Sequence, residues 1–442
     1  MRICHVNATD ISGGAARAAY RIHRSLVDHG KFNDLQSGLR VIQKLSDDPT
    51  VMGGPPVAKG GFWQGRIGKR IHPRVRHKSR REFSTGNPTL HSTAWPATGM
   101  GQELLNRHHR GEADVVHLHW LGDATLSIEE IGRLPMPLVW TLHDQWPFCG
   151  AEHYTNPPQD GETKSSDERF VSGYHRSNRQ FHESGLDLNR KTWLRKRRAW
   201  LRPIHIVATS RWLADCAKRS SLMSDWPITI IPYPLDLNVW KPLDQLQARA
   251  LLNLPLDRPL ILFGAIGGTN DPRKGADLLL EALLRLQPLI QGTSLENMEL
   301  VVFGQSPPAE PPKLGFPIHY RGRLQDDLSL RLHYSAADVM VVPSRQEAFG
   351  QTASEAQACG TPVVCFRTGG LTDVVEHERT GLCVKPFDPI SLSEGIKLIC
   401  EDQELCSSMG AAARERATKL WRPERISSLY KELYARELDW GD

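Results

Sequence analysis

The sequence predicts an α/β protein built from two doubly wound parallel-sheet domains, and three observations carry that expectation. The chain has 442 residues, more than a single hydrophobic core usually serves. Short apolar, β-branched runs alternate with amphipathic stretches of helical period along most of it. A proline-rich segment, Ile231–Pro242 with three prolines, interrupts both patterns near the middle.

Taken in order, the first half reads as strands at Ile3–Asn7, near Gly38–Ile42, and at Val115–His119, Leu138–Leu142 and His205–Thr209. The second half gives Leu260–Ala265, Leu300–Phe303, Val339–Pro343, Pro362–Phe366 and Gly381–Val384. Leucines at helical spacing over Ala276–Leu286 mark one of the intervening helices. The expected division is 1–235, 236–421, and a last helix over 422–442 that could pack back on the first domain. Ligands of such sheets bind beyond the carboxyl ends of the strands, so motifs that follow a strand are the informative ones.

Composition narrows the function class. Hydrophobic residues make up 40% and charged residues 24%, which suits a globular enzyme. No apolar run approaches the roughly 20 residues that span a bilayer, and the N-terminus enters a strand without a signal-peptide pattern. A cytoplasmic protein is expected. The eight cysteines are scattered with no CxxC pair, so buried thiols are expected and a structural zinc site is not. Net charge is only +5, but nine basic residues and no acidic one fall between Lys59 and Arg81. Seven more lie between Arg190 and Arg202, around Trp193, Trp200 and Leu201. Interleaved cations and apolar residues fit an anionic membrane surface or a lipid-diphosphate, although a solvated helix face has the same composition. No nucleic-acid-reading motif accompanies them.

Four segments carry candidate chemistry. In Val341–Gly370 a strand ends at Pro343, a loop holds Glu347 and Gly350, and a helix starts near Thr352. Carboxylates there can each accept hydrogen bonds from two sugar hydroxyls, and free amides at Gly350, Gln351 and onward suit a phosphate. Thr352-x-x-Glu355 also matches a capping box, which would make Glu355 structural. In Phe263–Leu283 a strand runs through a Gly-rich loop containing Gly267 to Arg273, Lys274 and a helix. Cations beside backbone amides can neutralise a diphosphate without a metal. The N-terminal strand leads to Ser12-Gly13-Gly14, where glycine admits close approach of a ligand, or merely a turn. Finally His143 and Asp144 close a strand, while His117 and His119 share a strand face, either as metal ligands or as buried, hydrogen-bonded rings. The latter is expected, since no third ligand is evident.

The run Glu347, Ala348, Phe349, Gly350, Glu355, Ala356, Ala358, Gly360, Pro362 and Val363 resembles the hallmark of family 4 retaining glycosyltransferases of the GT-B fold. Thr368-Gly369-Gly370 and Glu376 with Thr380-Gly381-Leu382 continue it, and Asp114–Tyr154 resembles the branch that builds bacterial surface polysaccharides. The resemblance implies two Rossmann-like domains with the active site between them, acceptor domain first. It implies that Glu347 meets the transferred sugar, Glu355 the ribose and Lys274 the diphosphate, with Arg273 a substitute for a partner cation. His143 would reach the donor sugar, Gly13 and Gly14 would line the site, and Arg17 would be a candidate anion contact. Gly350, Gln351, Gly267 and Arg323 complete the expected donor-binding set. The implied reaction moves a sugar, with retention and no metal, from a nucleotide-diphosphate donor to a glycan or lipid-linked hydroxyl. A peripheral position at the inner face of the membrane would go with it. Competing readings are a glycosidase using both carboxylates, a nucleotide-sugar epimerase or hydrolase of the same fold, and a silent assembly protein.

Overall fold

The computed structural model describes residues 1–30, 35–55, 89–94, 98–122, 125–156, 168–180, 183–264 and 271–439. The basic stretch Lys59–Arg81 therefore lies outside the described residues. The chain forms two compact units. The first takes Met1–Asn156, Ser166–Pro234 and Pro423–Asp442, and the second Leu235–Arg422.

The first unit is a seven-stranded, all-parallel sheet of β1 (Arg2–Thr9), β2 (Gln36–Gln43), β3 (Val51–Met52), β4 (Val115–Leu118), β5 (Leu138–Thr141), β6 (His205–Ala208) and β7 (Ile228–Ile230). Its order is β3-β2-β1-β4-β5-β6-β7, so the winding reverses between β1 and β4. The second unit repeats the plan with six strands: β8 (Leu260–Gly264), β9 (Glu299–Phe303), β10 (Ile318–Tyr320), β11 (Val339–Val342), β12 (Val363–Phe366) and β13 (Gly381–Val384). Its order is β10-β9-β8-β11-β12-β13, with the reversal between β8 and β11. Both sheets are parallel throughout, as the alternation of elements predicts.

Central strands such as VVHL of β4 and VMVV of β11 are buried at every position, which is why they read as continuous apolar runs. The sequence reading misses three strands, β3, β7 and β10. Each is a sheet edge of two or three residues and each is partly exposed. An edge this short buries too little to leave an apolar signature, whereas the four-residue edge β13 is buried at three positions and leaves one.

The last helix, Pro423–Asp439, belongs to the first unit. It packs on the helix Gly14–His29. Tyr434 Oη lies 2.6 Å from His117 Nδ1, and Tyr430 Oη 3.0 Å from Thr141 Oγ1. Glu437 meets His205 at 2.7 Å. These contacts close a polar layer inside the unit. His5 and His117 are register partners on β1 and β4, and His119 follows two residues on, so all three rings share one sheet face. His23 reaches the same layer from the helix and bonds Ser37 and Thr50.

Burial is the main reason the rings of this layer stay neutral. It drives His5, His117 and His119 well below the usual histidine value and His23 to about 4. A folded-state value below the unfolded one means that the unfolded chain takes up more protons as pH falls. Stability should therefore be complete above about pH 6.5 and decline as pH falls toward 4. Each such ring contributes at most about 1.4 kcal/mol per pH unit. Urea midpoints measured from pH 7.5 down to 4.5 should fall steadily; a flat profile would contradict a neutral layer.

Candidate donor and acceptor sites

In the second unit the two loops that leave β8 and β11 flank the point where the winding reverses, where doubly wound sheets hold their ligands. After β8, residues 265–270 lie outside the described residues, and Gly267 with them. The chain resumes at Asp271, whose side chain accepts from the backbone amide of Arg273 and starts a short 3-10 turn over Pro272–Lys274. Gly275 then adopts φ 64°, and an added Cβ there would lie 1.9 Å from the Pro343 carbonyl oxygen. Only glycine lets the turn press this closely on the end of β11. Arg345 locks the same contact: its amide donates to the Arg273 carbonyl at 2.7 Å, and its guanidinium forks onto Asp277 at 2.8 and 2.7 Å.

The result is that Lys274 Nζ meets Glu347 Oε1 at 2.5 Å, although 73 residues separate them. Ser344 Oγ donates to the same carboxylate oxygen at 3.0 Å. Both charged groups are partly exposed, 24% for the Lys274 side chain and 13% for Glu347. Arg273 lies beside them in sequence, but its guanidinium is paired with Asp271 at 2.5 Å. The Glu347 backbone is fixed as well, because its carbonyl accepts from the Gly370 amide at 2.8 Å.

The helix after this loop is Gln351–Ala358, and its N-cap is Gly350 at φ 102° with no side-chain cap. The capping-box reading of Thr352 and Glu355 is thereby overturned. The helix starts two residues earlier than that box requires, and glycine in a left-handed conformation occupies the cap. Glu355 is instead 4% exposed and accepts from Tyr334 Oη at 2.9 Å. The Gln351 amide begins the helix beside Glu347. Arg323 stands exposed beyond the edge strand β10.

The first unit supplies the remaining expected residues. Gly13, at φ 96°, is the N-cap of Gly14–His29, and its carbonyl accepts from the Arg17 amide at 3.0 Å. Asp10 holds the approach to this turn by accepting from the amides of Ile11, Leu45 and Ser46. His143 follows β5 and is 8% exposed; burial lowers it to about 4. Both its ring nitrogens are engaged, Nε2 with His119 Nδ1 at 3.0 Å and Nδ1 with Tyr233 Oη at 2.7 Å. His119 in turn meets His5 Nδ1 at 2.9 Å. Ring nitrogens of His5, His117 and His119 come within 4.8 Å of one another, yet those of His117 and His119 are spent on hydrogen bonds. His5 is the third imidazole that the sequence reading lacked, while the rings of His117 and His119 are buried and hydrogen-bonded.

The basic stretch Arg190–Arg202 lies mostly on the helix Leu188–Ala199 and is partly consumed by the fold. Lys196 is fully buried and donates to the carbonyls of Trp146, Cys149 and Gly150. Burial lowers it to about 7. Arg195 pairs with Glu129, and Arg202 bonds three carbonyls of 134–136. Lys191, Arg197, Arg198 and Leu201 remain exposed. Among the described residues no helix is long and apolar enough to cross a membrane.

Comparison with known proteins now bears on this geometry. Residues 247–416, which include Lys274, Glu347 and Glu355, match the family of glycosyl transferases group 1. The chain is 35% identical over 387 residues to a D-inositol 3-phosphate glycosyltransferase of Geodermatophilus obscurus, covering 79% of this chain and 75% of that one. A protein of the same name from Xylanimonas cellulosilytica is 32% identical over 223 residues, 47% of this chain and 51% of its own. The fold is similar to sucrose-phosphate synthase of Thermosynechococcus elongatus, with TM-score 0.65 and 19% identity over 98% of both chains. It is also similar to HepE of Anabaena in complex with UDP-glucose, with TM-score 0.61 and 16% identity over 99% of this chain and 100% of that one. WaaG, a glycosyltransferase involved in lipopolysaccharide biosynthesis, gives TM-score 0.61 and 18% identity over 97% and 99%. The fold is thus that of the two-domain GT-B glycosyltransferases. The chain belongs to the group 1 glycosyl transferases.

Gly275 tests how far the Lys274–Glu347 geometry depends on one backbone contact. Gly275→Ala adds a Cβ at 1.9 Å from a carbonyl oxygen and a side chain at positive φ. It should cost more than about 1 kcal/mol, read as a lower urea midpoint at unchanged slope.

Proposed function

We propose that this glycosyltransferase moves a sugar, with retention of anomeric configuration and without a metal, from a nucleotide-diphosphate donor to an acceptor hydroxyl. The observation that carries this reading is the meeting of Lys274 and Glu347 at 2.5 Å at the winding reversal of the second sheet. Departure of a nucleoside diphosphate develops negative charge, and a fixed ammonium group beside it stabilises that charge without reorganisation. Glu347, held by Lys274 and Ser344, offers a carboxylate to sugar hydroxyls. Buried Glu355, fixed by Tyr334, offers one to the ribose. Arg273 is paired with Asp271 at 2.5 Å, as Lys274 is with Glu347, and only Lys274 is held against the carboxylate that meets the sugar.

No protein nucleophile is required. The acceptor oxygen attacks the anomeric carbon on the face from which the diphosphate departs, and the leaving phosphate oxygen takes the acceptor proton. Catalysis is then positioning plus charge stabilisation. A glycosidase acting through both carboxylates fits less well, since Glu347 is bound to a lysine and Glu355 is buried against a tyrosine.

For the acceptor we favour a lipid-linked or growing surface glycan, handled at the inner face of the membrane. The exposed Lys191, Arg197, Arg198 and Leu201 support that choice, as cations around an apolar side chain suit an anionic surface. A second reading is favoured by the relatives: a phosphorylated inositol, the acceptor in the name of a protein 35% identical to this one. Incubating the enzyme with each acceptor class and the nucleotide sugar that most raises its melting temperature separates them.

Two substitutions test the donor site. Lys274→Ala should lower kcat by about a hundredfold or more, the effect of deleting one preorganised charge-stabilising donor. Near-native turnover would remove Lys274 from the mechanism. Glu347→Gln keeps the shape of the side chain but loses its charge, and should abolish transfer while the nucleoside diphosphate still binds by calorimetry.

A further inference from the structure

The glycosyl-transfer reading leaves one array in the first unit unused. Asp144 follows His143 at the carboxyl end of β5, and Trp120 stands just beyond the end of β4. Asp144 Oδ2 lies 2.6 Å from His153 Nδ1, and His153 Nε2 lies 2.8 Å from Ser92 Oγ. Asp144 is fixed from two further sides, by the Trp146 amide at 3.0 Å on Oδ1 and the Trp120 indole N–H at 2.9 Å on Oδ2. Burial alone would raise the Asp144 carboxyl. The His153 beside it and the Trp146 amide outweigh burial and hold it below its ordinary value.

An ionised Asp144 accepts only, so His153 Nδ1 must donate to it. That fixes the tautomer: in the neutral ring Nε2 carries the lone pair and faces a hydroxyl. The ring is 4% exposed and Asp144 6%, while Ser92 is only half-buried. The opening of the array is therefore on the Ser92 side. Trp120, half-buried with its ring centroid 5.4 Å from that of His153, adds an apolar face beside the nitrogen. A polar acceptor atom next to an indole face, at the carboxyl end of a parallel sheet, is a setting for a carbohydrate or polyol hydroxyl.

We propose that Ser92, His153 and Asp144 form the acceptor-hydroxyl subsite. His153 Nε2 accepts a hydrogen bond from a hydroxyl of the incoming glycan or polyol, and the Ser92 hydroxyl holds that place until it rotates aside. Asp144 acts as a positioning residue, since it reaches the acceptor only through the ring it orients, while Trp120 both bonds Asp144 and offers its ring face to the acceptor. The same order of groups serves acyl transfer when the serine is a nucleophile beside an oxyanion hole. Here the Ser92 amide is committed to the Ala151 carbonyl at 2.7 Å and the Ser92 carbonyl to the Trp146 indole at 2.7 Å, so the backbone at the serine offers no oxyanion donor. The proposal rests on the glycosyl-transfer reading and names the part of the chain that meets its second substrate.

The test uses the full-length chain, the nucleotide sugar that stabilises it most, and two acceptor probes, octyl glycosides and D-inositol 3-phosphate. His153→Gln still donates to Asp144 but lacks the imidazole nitrogen aimed at Ser92. It should raise KM for the acceptor by about tenfold or more, the scale of one lost hydrogen bond. Its donor affinity by calorimetry should be unchanged. Ser92→Ala should lower acceptor KM, because it removes the internal competitor for His153 Nε2. A purely structural array would instead lower the melting temperature of both variants and reduce donor affinity and transfer together. That pattern, an unchanged acceptor KM in His153→Gln, or covalent capture of Ser92 by a fluorophosphonate would each overturn the proposal. If the wild-type chain bound no nucleotide sugar, the reading of the second unit would fail instead, so the two failures are distinguishable.

Discussion

The contact between Lys274 and Glu347 makes the strongest demand on the second unit. It joins loops from β8 and β11, which are neighbours only because the sheet reverses its winding there. Each loop is held by other contacts before the two charges meet. Gly275 presses the first turn onto Pro343, and Arg345 bonds back to Arg273, Pro272 and Asp277. Side chains that must stay charged at a ligand site need this kind of support, because a few tenths of an ångström decide whether charge stabilisation is preorganised. The ion pair itself is partly solvated, so its stabilising effect on the fold is small. What it fixes is the position of the lysine.

The first unit solves a different problem at the equivalent place. Its sheet also reverses, between β1 and β4, but the layer under that point is made of neutral imidazoles and tyrosine hydroxyls. A buried polar group costs free energy unless it is paired, and the layer shows how completely pairing can be arranged. His117 uses both nitrogens on Tyr434 and Thr141, His23 uses both on Ser37 and Thr50, and His143 uses both on His119 and Tyr233. Within the chain His5–His119–His143–Tyr233, only His5 Nε2 has no partner. A bare lone pair there is tolerated better than a bare N–H. That selects the tautomers in which His5, His119 and His143 each carry the proton on Nδ1. The C-terminal helix is thus tied into the unit through the tyrosines that complete this layer.

The sequence made the centre of each sheet legible and left the shortest edges obscure, while the edge strand Gly381–Val384 was read correctly. Leu138–Thr141 and Val339–Val342 announce themselves because both faces of a central parallel strand are covered. Ile228–Ile230 and Ile318–Tyr320 do not, since half of each faces outward. At the site, Glu347 and Lys274 could be singled out from the residues around them, but their contact could not, because spacing says nothing about which strands become neighbours. Glu355 was ambiguous for a local reason: Thr352-x-x-Glu355 fits a cap, and only the conformation of Gly350 decides against it. His153 lies in the Asp114–Tyr154 run that resembles a family branch, but nothing in the run singled it out. Its partners lie 9 and 61 residues away, and a lone histidine before a tyrosine is silent until the fold brings Asp144 and Ser92 to it.

Charge runs illustrate the same limit from the opposite side. Read as a string, Arg190–Arg202 is a uniform basic patch; folded, it divides by helix geometry. Lys196 points inward, with its ammonium 3.8 Å from the Trp146 ring centroid and three carbonyls around it. Those carbonyls belong to the loop that follows β5, so this cation braces the segment leading from Asp144 to His153. Removing it would leave three buried acceptors without their donor, whereas Arg198 faces solvent and Arg197 lies outward with its guanidinium 5.6 Å from the Trp193 ring centroid. A membrane-facing role can therefore be sought only in the outward residues. The inward lysine belongs to the scaffold of the same polar array that His153 completes.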